Sequence, residues 1–327
     1  MRKIPLLRMI VTGIMIVVAL VALLAVITML GAWKIARDYP PTGRFVEVEG
    51  GRLHVVELDA RAQPTRDDPP VVLLHGASGN LGDMQVALGD KLARQHRVIL
   101  VDRPGHGWSE RWADDGASPA RQAAMVNEML GHLGVERSII VAHSFAGAVA
   151  TALALDHPTR VAGLVLIAPV LNPWSTGIAW YYSVAAAPYI GPLFAWTLAL
   201  PAGAVLINPT VAVVFAPQDV PKDYVERAAI PLVVLPRNFL ANARDVAGLH
   251  GFVTAQAPRY RGIKAPTVII TGDRDTVVSP QIHSRALAAI LPHSKLIVLE
   301  GIGHMPHHGA RDAVYKAIEE VTKLPGR

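Results

Sequence analysis

The sequence predicts an α/β fold on a mostly parallel, doubly wound sheet, with a helical insertion late in the chain and one transmembrane helix in front. Three observations carry this. Short, β-branched apolar runs alternate with helix-like stretches, the pattern of a sheet covered on both faces. That rhythm stops between about residues 172 and 262. And no charged residue occurs from Met9 to Trp33.

The uncharged run comes first. Helical residues rise about 1.5 Å each, so this run is longer than the ~30 Å hydrocarbon core of a bilayer. A buried core helix would be shorter and less uniformly apolar. A cleaved signal peptide has an apolar region of roughly 7–15 residues and a small-x-small cleavage site; here the run ends in Gly31-Ala32-Trp33-Lys34. The reading is a retained signal anchor over residues 1–33, with Trp33 in the interfacial belt. Arg2, Lys3 and Arg8 precede the run; Lys34, Arg37 and Asp38 follow it. This balance places the N-terminus in the cytoplasm and the remaining chain on the extracytoplasmic side. Residues 34–44, broken by Pro40, Pro41 and Gly43, read as a linker.

The net charge of +5 belongs to this front segment. Without Arg2, Lys3, Arg8, Lys34, Arg37, Arg44 and Asp38, 25 basic and 25 acidic residues remain. No basic cluster stands out among them, which argues against nucleic-acid binding. The absence of cysteine excludes disulfides, cysteine-based metal sites and a cysteine nucleophile.

The domain expected over 45–327 opens with Phe45–Val48 and Leu53–Val56 around Glu49-Gly50-Gly51-Arg52, a hairpin signature. Asp59 to Pro70 is polar and reads as a loop. Val71–Leu74, Val98–Val101, Ser138–Val141, Leu164–Ile167, Thr267–Thr271 and Leu296–Leu299 read as buried strands. Helices are expected near Met84–Arg94 and Pro119–Leu133, from Ser144 toward His157, and over Asp312–Lys323. The segment 172–262 is rich in Ala, Leu, Trp, Tyr and Pro and too long for an unstructured loop, so it is expected to be a helical insertion. Its apolar surface must face the main domain, a membrane or a ligand.

Four segments carry chemistry. Ile140-Val141-Ala142-His143-Ser144-Phe145-Ala146-Gly147 places a serine between a strand and an Ala-rich helix. A nucleophile elbow needs this layout, with small residues two positions either side of the serine. Glycine is usual there; this chain has Ala142 and Ala146, so a helix N-cap serine is the competing reading. Leu74-His75-Gly76-Ala77-Ser78-Gly79 follows a strand and can expose backbone amides to developing negative charge, or be a plain turn. By position, the N–H groups of Ala77 and Phe145 are the oxyanion-hole candidates. Thr271-Gly272-Asp273-Arg274-Asp275 and Glu300-Gly301-Ile302-Gly303-His304 each follow a strand. A serine hydroxyl needs a base, and the base an orienting carboxylate. Ser144, Asp275 and His304 stand in a chain order known for such triads, each at a predicted strand's C-terminal end, where open α/β sheets place their sites.

From Phe45 onward the chain resembles the α/β-hydrolase superfamily, in the branch of esterases, lipases, ring-cleavage C–C hydrolases, epoxide hydrolases and haloalkane dehalogenases. LLHGASGN, VDRPGHGWS, VAHSFAGAVA, TGDRDTVVSP and EGIGHMPHH carry the resemblance. It implies Ser144 as nucleophile, Asp275 as acid, His304 as base, and the insertion as the family's cap. The spacing of Gly272 to Asp275 before Pro280 favours Asp275 over Asp273, which reads as a turn residue. Vicinal His307 and His308 raise the question of a metal. With no matching carboxylate or histidine spacing nearby, surface or cap contacts are expected instead. His75 and His143 read as structural, and the Asp102–Ser109 turn as architectural, with Trp108 near the pocket.

The resemblance also narrows the reaction. Dehalogenases and epoxide hydrolases of this branch use aspartate where this chain has Ser144. The C–C hydrolases use serine, but their oxyanion loop often carries Gly-Pro-Gly where this chain has Ala77-Ser78-Gly79. The expectation is a serine hydrolase acting on an apolar, lipid-like carboxylic ester, with no cofactor or metal. A C–C hydrolase, a cofactor-free haloperoxidase or transacylase, and a binding module with an inactive site stay open. Trp180, Tyr181, Tyr182, Phe194 and Trp196 in the insertion either line an apolar pocket or pack the cap on the sheet.

Overall fold

A computed structural model describes residues 4–60, 68–112, 115–291 and 293–323. Most of the expected Asp59–Pro70 loop, and Arg2 and Lys3, lie outside these. The sheet follows the apolar runs. Strands β1 (Arg44–Val48), β2 (Gly51–Leu58), β3 (Val71–Leu74), β4 (Val98–Val101), β5 (Glu110–Arg111), β6 (Ser138–His143), β7 (Val161–Ile167), β8 (Thr267–Gly272) and β9 (Ser294–Leu299) form one sheet in the order β1-β2-β4-β3-β6-β7-β8-β9, with β5 against β2. The six strands from β4 to β9 along this order pair in parallel, and β2 joins them antiparallel.

Because side chains alternate across a strand, this sheet feeds two cores. Val72 and Leu74 enter one, with Val126 and Met129 of a covering helix; Val71 and Leu73 enter the other, with Val314 and Ile318. The chain lays β4 on one side of β3 and β6 on the other, so winding reverses between β3 and β6. Ligand sites in such sheets open at that reversal, beyond the C-terminal strand ends.

The insertion between β7 and β8 is mainly helical. It contains Trp180–Ala186, Ile190–Phe194 continuing through Ala195–Ala199, Leu200–Phe215, Tyr224–Arg227 and Pro236–Gln256. The last of these is tied down by polar bonds: Asp245 accepts from the fully buried Arg103 at 2.9 Å, and Gln256 Nε2 donates to Thr151 Oγ1 at 3.0 Å. Losing one partner of a buried ion pair costs about 3–5 kcal/mol.

Three boundaries differ from the sequence expectation. The helix expected near Met84–Arg94 starts at Leu81, because the Asn80 side chain accepts from the Gly82 N–H at 2.8 Å and caps it. The helix expected from Ser144 starts at Ala146, because Ser144 has φ +52° and cannot join a right-handed helix. The N-terminal helix α1 runs Ile4–Asp38, so the expected linker is helical for its first five residues. Lys34 and Asp38 pair at i, i+4 there, and Pro40-Pro41 follows. By length and composition α1 can cross a membrane.

Candidate active site

Four strand ends build the site. β6 delivers Ser144, which turns sharply: its left-handed φ is a strained conformation for a non-glycine residue. The turn is held from both sides. The Ser144 N–H donates to Ile167 O at 2.9 Å, and Ser144 O accepts from Gly147 at 2.9 Å and Val170 at 3.1 Å. Ala142 and Ala146 are fully buried. Around the elbow, close approaches fall at two glycines instead. A Cβ on Gly147 would meet Pro169 Cβ at 2.5 Å, and one on Gly76 would meet His143 Nδ1 at 2.9 Å and Ser144 Cβ at 3.1 Å. Crowding by these neighbours therefore favours glycine at 147 and 76, while alanine fits at 142 and 146.

β9 leads to His304 and β8 to Asp275, both buried. His304 Nδ1 lies 2.8 Å from Asp275 Oδ2, and His304 Nε2 lies 3.1 Å from Ser144 Oγ. With Nδ1 protonated and donating to the carboxylate, Nε2 is left to accept the serine proton. Asp275 Oδ1 is fixed by the N–H groups of Val277 and Val278 at 2.9 and 2.8 Å. The alternative acid, Asp273, is exposed and accepts from the Gly301 N–H at 2.7 Å, a turn contact.

β3 ends in the loop bearing Ala77. Among the hydrogen bonds of the described residues, neither the Ala77 nor the Phe145 N–H has a protein acceptor. The loop is braced from beneath. Arg103 donates to His75 O at 2.9 Å and Gly76 O at 3.2 Å, and its guanidinium lies 4.3 Å from the centre of the Phe145 ring. It is also braced from the insertion. Asn242 Oδ1 accepts from the Ser78 N–H at 2.8 Å, Asn242 Nδ2 donates to Ser78 Oγ at 2.9 Å, and the Tyr182 hydroxyl is 2.9 Å from Ser78 Oγ. Nothing in the local sequence around Asn242 or Tyr182 marks this role; only the tertiary fold brings them to the loop.

Two histidines beside the site, His75 and His143, act as neutral supports. Burial pushes His75 and His143 well below the usual imidazole range. His75 accepts from the Arg103 N–H at 2.9 Å, and His143 Nε2 donates to His304 O at 3.0 Å. His307 and His308 correct one part of the expectation: His308 does pack on Phe215 and Tyr224 of the insertion, but neither ring is at the surface and a carboxylate stands between them. His307 is fully buried, and the two Nε2 atoms lie 3.0 and 2.8 Å from the two oxygens of Asp83. The carboxylate comes from a helix more than 200 residues away, so spacing could not reveal it. Burial raises the Asp83 pKa, but the two imidazoles outweigh it and hold this carboxyl well below its usual range. These three side chains are close enough to share a metal. The two imidazoles and the Tyr224 hydroxyl, at 2.9 Å, already satisfy the carboxylate by hydrogen bonds. Trp108 also departs from expectation: its indole donates to Tyr39 O at 3.0 Å, at the end of α1 rather than beside Ser144.

The family profile described as the alpha/beta hydrolase fold matches residues 69–310. The chain belongs to that family. It is 27% identical over 291 residues to haloalkane dehalogenase 2 of Mycobacterium bovis, covering 86% of this chain and 95% of the relative. The enol-lactonase of Burkholderia xenovorans LB400 superposes with a TM-score of 0.68 at 21% identity, over 86% of this chain and all of that one. A thermophilic esterase from Thermogutta terrifontis gives 0.67 at 20% identity, over 86% and 99%. At these identities the two structural likenesses speak to the fold alone; the relatives' chemistries differ, so the reaction has to be argued from the side chains.

Proposed function

We propose that this hydrolase cleaves an apolar carboxylic ester through an acyl-enzyme on Ser144. The observation that supports this best is the placement of His304, with one ring nitrogen on Ser144 Oγ and the other on Asp275. His304 takes the hydroxyl proton as Oγ attacks the carbonyl, and the amides of Ala77 and Phe145 receive the oxyanion. His304 then protonates the leaving alcohol, and water repeats the sequence on the acyl-enzyme. Asp275 holds the imidazole tautomer and stabilises its charged form. The scheme requires no cofactor or metal.

Serine decides against the dehalogenase reaction of the Mycobacterium relative. Displacing a halide from an alkyl carbon with a carboxylate leaves an ester, which water cleaves. Displacing it with a serine hydroxyl leaves an ether, which water does not. An apolar substrate is supported by the insertion, where no Asp, Glu, Lys, Arg or His occurs between Arg160 and Asp219. We read α1 as a signal anchor with the N-terminus cytoplasmic and the hydrolase domain on the extracytoplasmic side, following the charge balance around it.

A series of nitrophenyl esters with the full-length protein in detergent tests this reading. Octanoyl esters should be hydrolysed with higher kcat/KM than acetyl esters, and Ser144→Ala should lower kcat on the order of 10⁵–10⁶-fold. A preference for acetyl would overturn the apolar acyl group. Undiminished turnover in Ser144→Ala would overturn the nucleophile.

A further inference from the structure

We propose that the insertion's segment Ile190–Ala202 lies inside the bilayer leaflet beside the second half of α1, so that the site opens sideways to lipid. This rests on reading α1 as a membrane span, and deepens the proposed function by naming where the substrate enters.

The two helices pack side by side in register. Thr28 Oγ1 donates to Thr197 O at 3.5 Å. A Cβ on Gly31 would meet Leu200 Cδ2 at 2.6 Å. Ile35 and Ala204 line one cavity of about 250 Å³ between them. Each pair is separated by the same number of residues, so the helices run parallel over this stretch. On α1 the face turned to the insertion steps through Val21, Leu24, Thr28, Gly31 and Ile35, none of them charged and all more enclosed than their exposed neighbours. Small residues at the closest approach are how helices pack where no water drives them together.

That register sets depth. Gly203 stands level with Lys34, the first charge after the apolar run, and Leu193 stands level with Leu24. Ten residues at about 1.5 Å carry Leu193 about 15 Å from that charge, half the ~30 Å hydrocarbon thickness. The surface there suits lipid. Tyr189, Ile190, Leu193, Trp196 and Leu198 are exposed, at 92%, 60%, 55%, 47% and 45%. The helical backbone satisfies its own polar groups, as a leaflet demands. In water such a contiguous apolar face is a liability; continuous with α1, it extends the membrane-facing surface. It also leads inward. Phe194 meets the Trp180 ring edge-on at 6.3 Å, and Tyr182, half a turn further along that helix, reaches Ser78 in the Ala77 loop. On this proposal an ester with its acyl chain in the leaflet approaches Ser144 along this row of aromatic side chains.

The chain has no cysteine, so single nitroxide labels can be placed in the full-length protein. Labels at Leu193→Cys and Ile190→Cys are compared with Val17→Cys on the exposed face of α1 and Glu136→Cys on the far side of the domain, in phosphatidylcholine–phosphatidylglycerol vesicles. Collision with oxygen, relative to a water-soluble nickel chelate, should be about tenfold higher at Leu193, Ile190 and Val17 than at Glu136. If Val17 behaves as lipid-exposed while Leu193 and Ile190 match Glu136, the embedded insertion is overturned and the anchor stands. If Val17 also matches Glu136, the anchor reading falls and the embedded insertion falls with it.

Discussion

His304 and His307 are three residues apart, and each sets one ring nitrogen on a buried carboxylate, at 2.8 Å from Asp275 and 3.0 Å from Asp83. They differ in what the other nitrogen meets. His304 Nε2 faces Ser144 Oγ, whereas the Nδ1 atoms of His307 and His308 have no hydrogen-bond partner among the described residues. The first arrangement can move a proton. The second fastens three stretches of chain together: the Asn80-capped helix, the Tyr224 segment of the insertion, and the turn after His304. A carboxylate–histidine pair is thus no evidence of catalysis by itself; a partner able to give up a proton makes the difference.

The largest way to sharpen the contrast is Asp275→Asn. It should lower kcat on the order of 10⁴-fold with little change in unfolding midpoint, because the amide offers His304 the wrong tautomer. Asp83→Asn should do the reverse. It leaves two imidazoles and a tyrosine facing an amide, and should cost about 3 kcal/mol in urea unfolding while kcat/KM for a short ester falls less than tenfold. Equal effects of the two variants on activity would erase the distinction.

Acid should expose the supporting histidines next. Burial lowers the His283 pKa from 6.5 to about 4, where its Nδ1 accepts from the Leu171 and Asn172 N–H groups. The unfolded chain takes up that proton as pH falls below 6.5 and the folded chain does not, so stability is lost from there down to about pH 4. Between pH 7.5 and 5 this one residue should remove about 2 kcal/mol, read as a falling urea midpoint. His75, His106 and His143 act with the same sign. Asp83 acts lower: its folded pKa is depressed, so its contribution is full above about pH 4 and lost as pH falls through the folded value. His283→Gln should flatten the slope; an unchanged slope would remove His283 from the account. The smallest effect is expected of Asp273→Asn, which loosens an exposed turn and should leave kcat/KM within a few-fold and stability within about 0.5 kcal/mol.

The sheet was legible in the sequence because its central strands are buried on both faces, and Val71–Leu74 and Val98–Val101 read as short apolar runs. The positions of Ser144, Asp275 and His304 were legible because each follows such a run. What stayed hidden depends on partners far along the chain. Asn242 braces the Ala77 loop from a helix 164 residues away, and Asp83 meets His307 across 224. Helix ends were misplaced where a single side chain or a strained φ decides them, as at Asn80 and Ser144. The extension of α1 to Asp38 was hidden by the prolines just beyond it, which end a helix without saying how far back it reaches.

The central claim is that Ser144, and no other group, forms the covalent intermediate. Fluorophosphonate labelling of the full-length protein, followed by peptide mass mapping, tests it most directly. The account predicts one adduct, on Ser144, whose formation slows by several orders of magnitude in His304→Ala. No adduct on the active protein, or one that persists undiminished in Ser144→Ala, would contradict it.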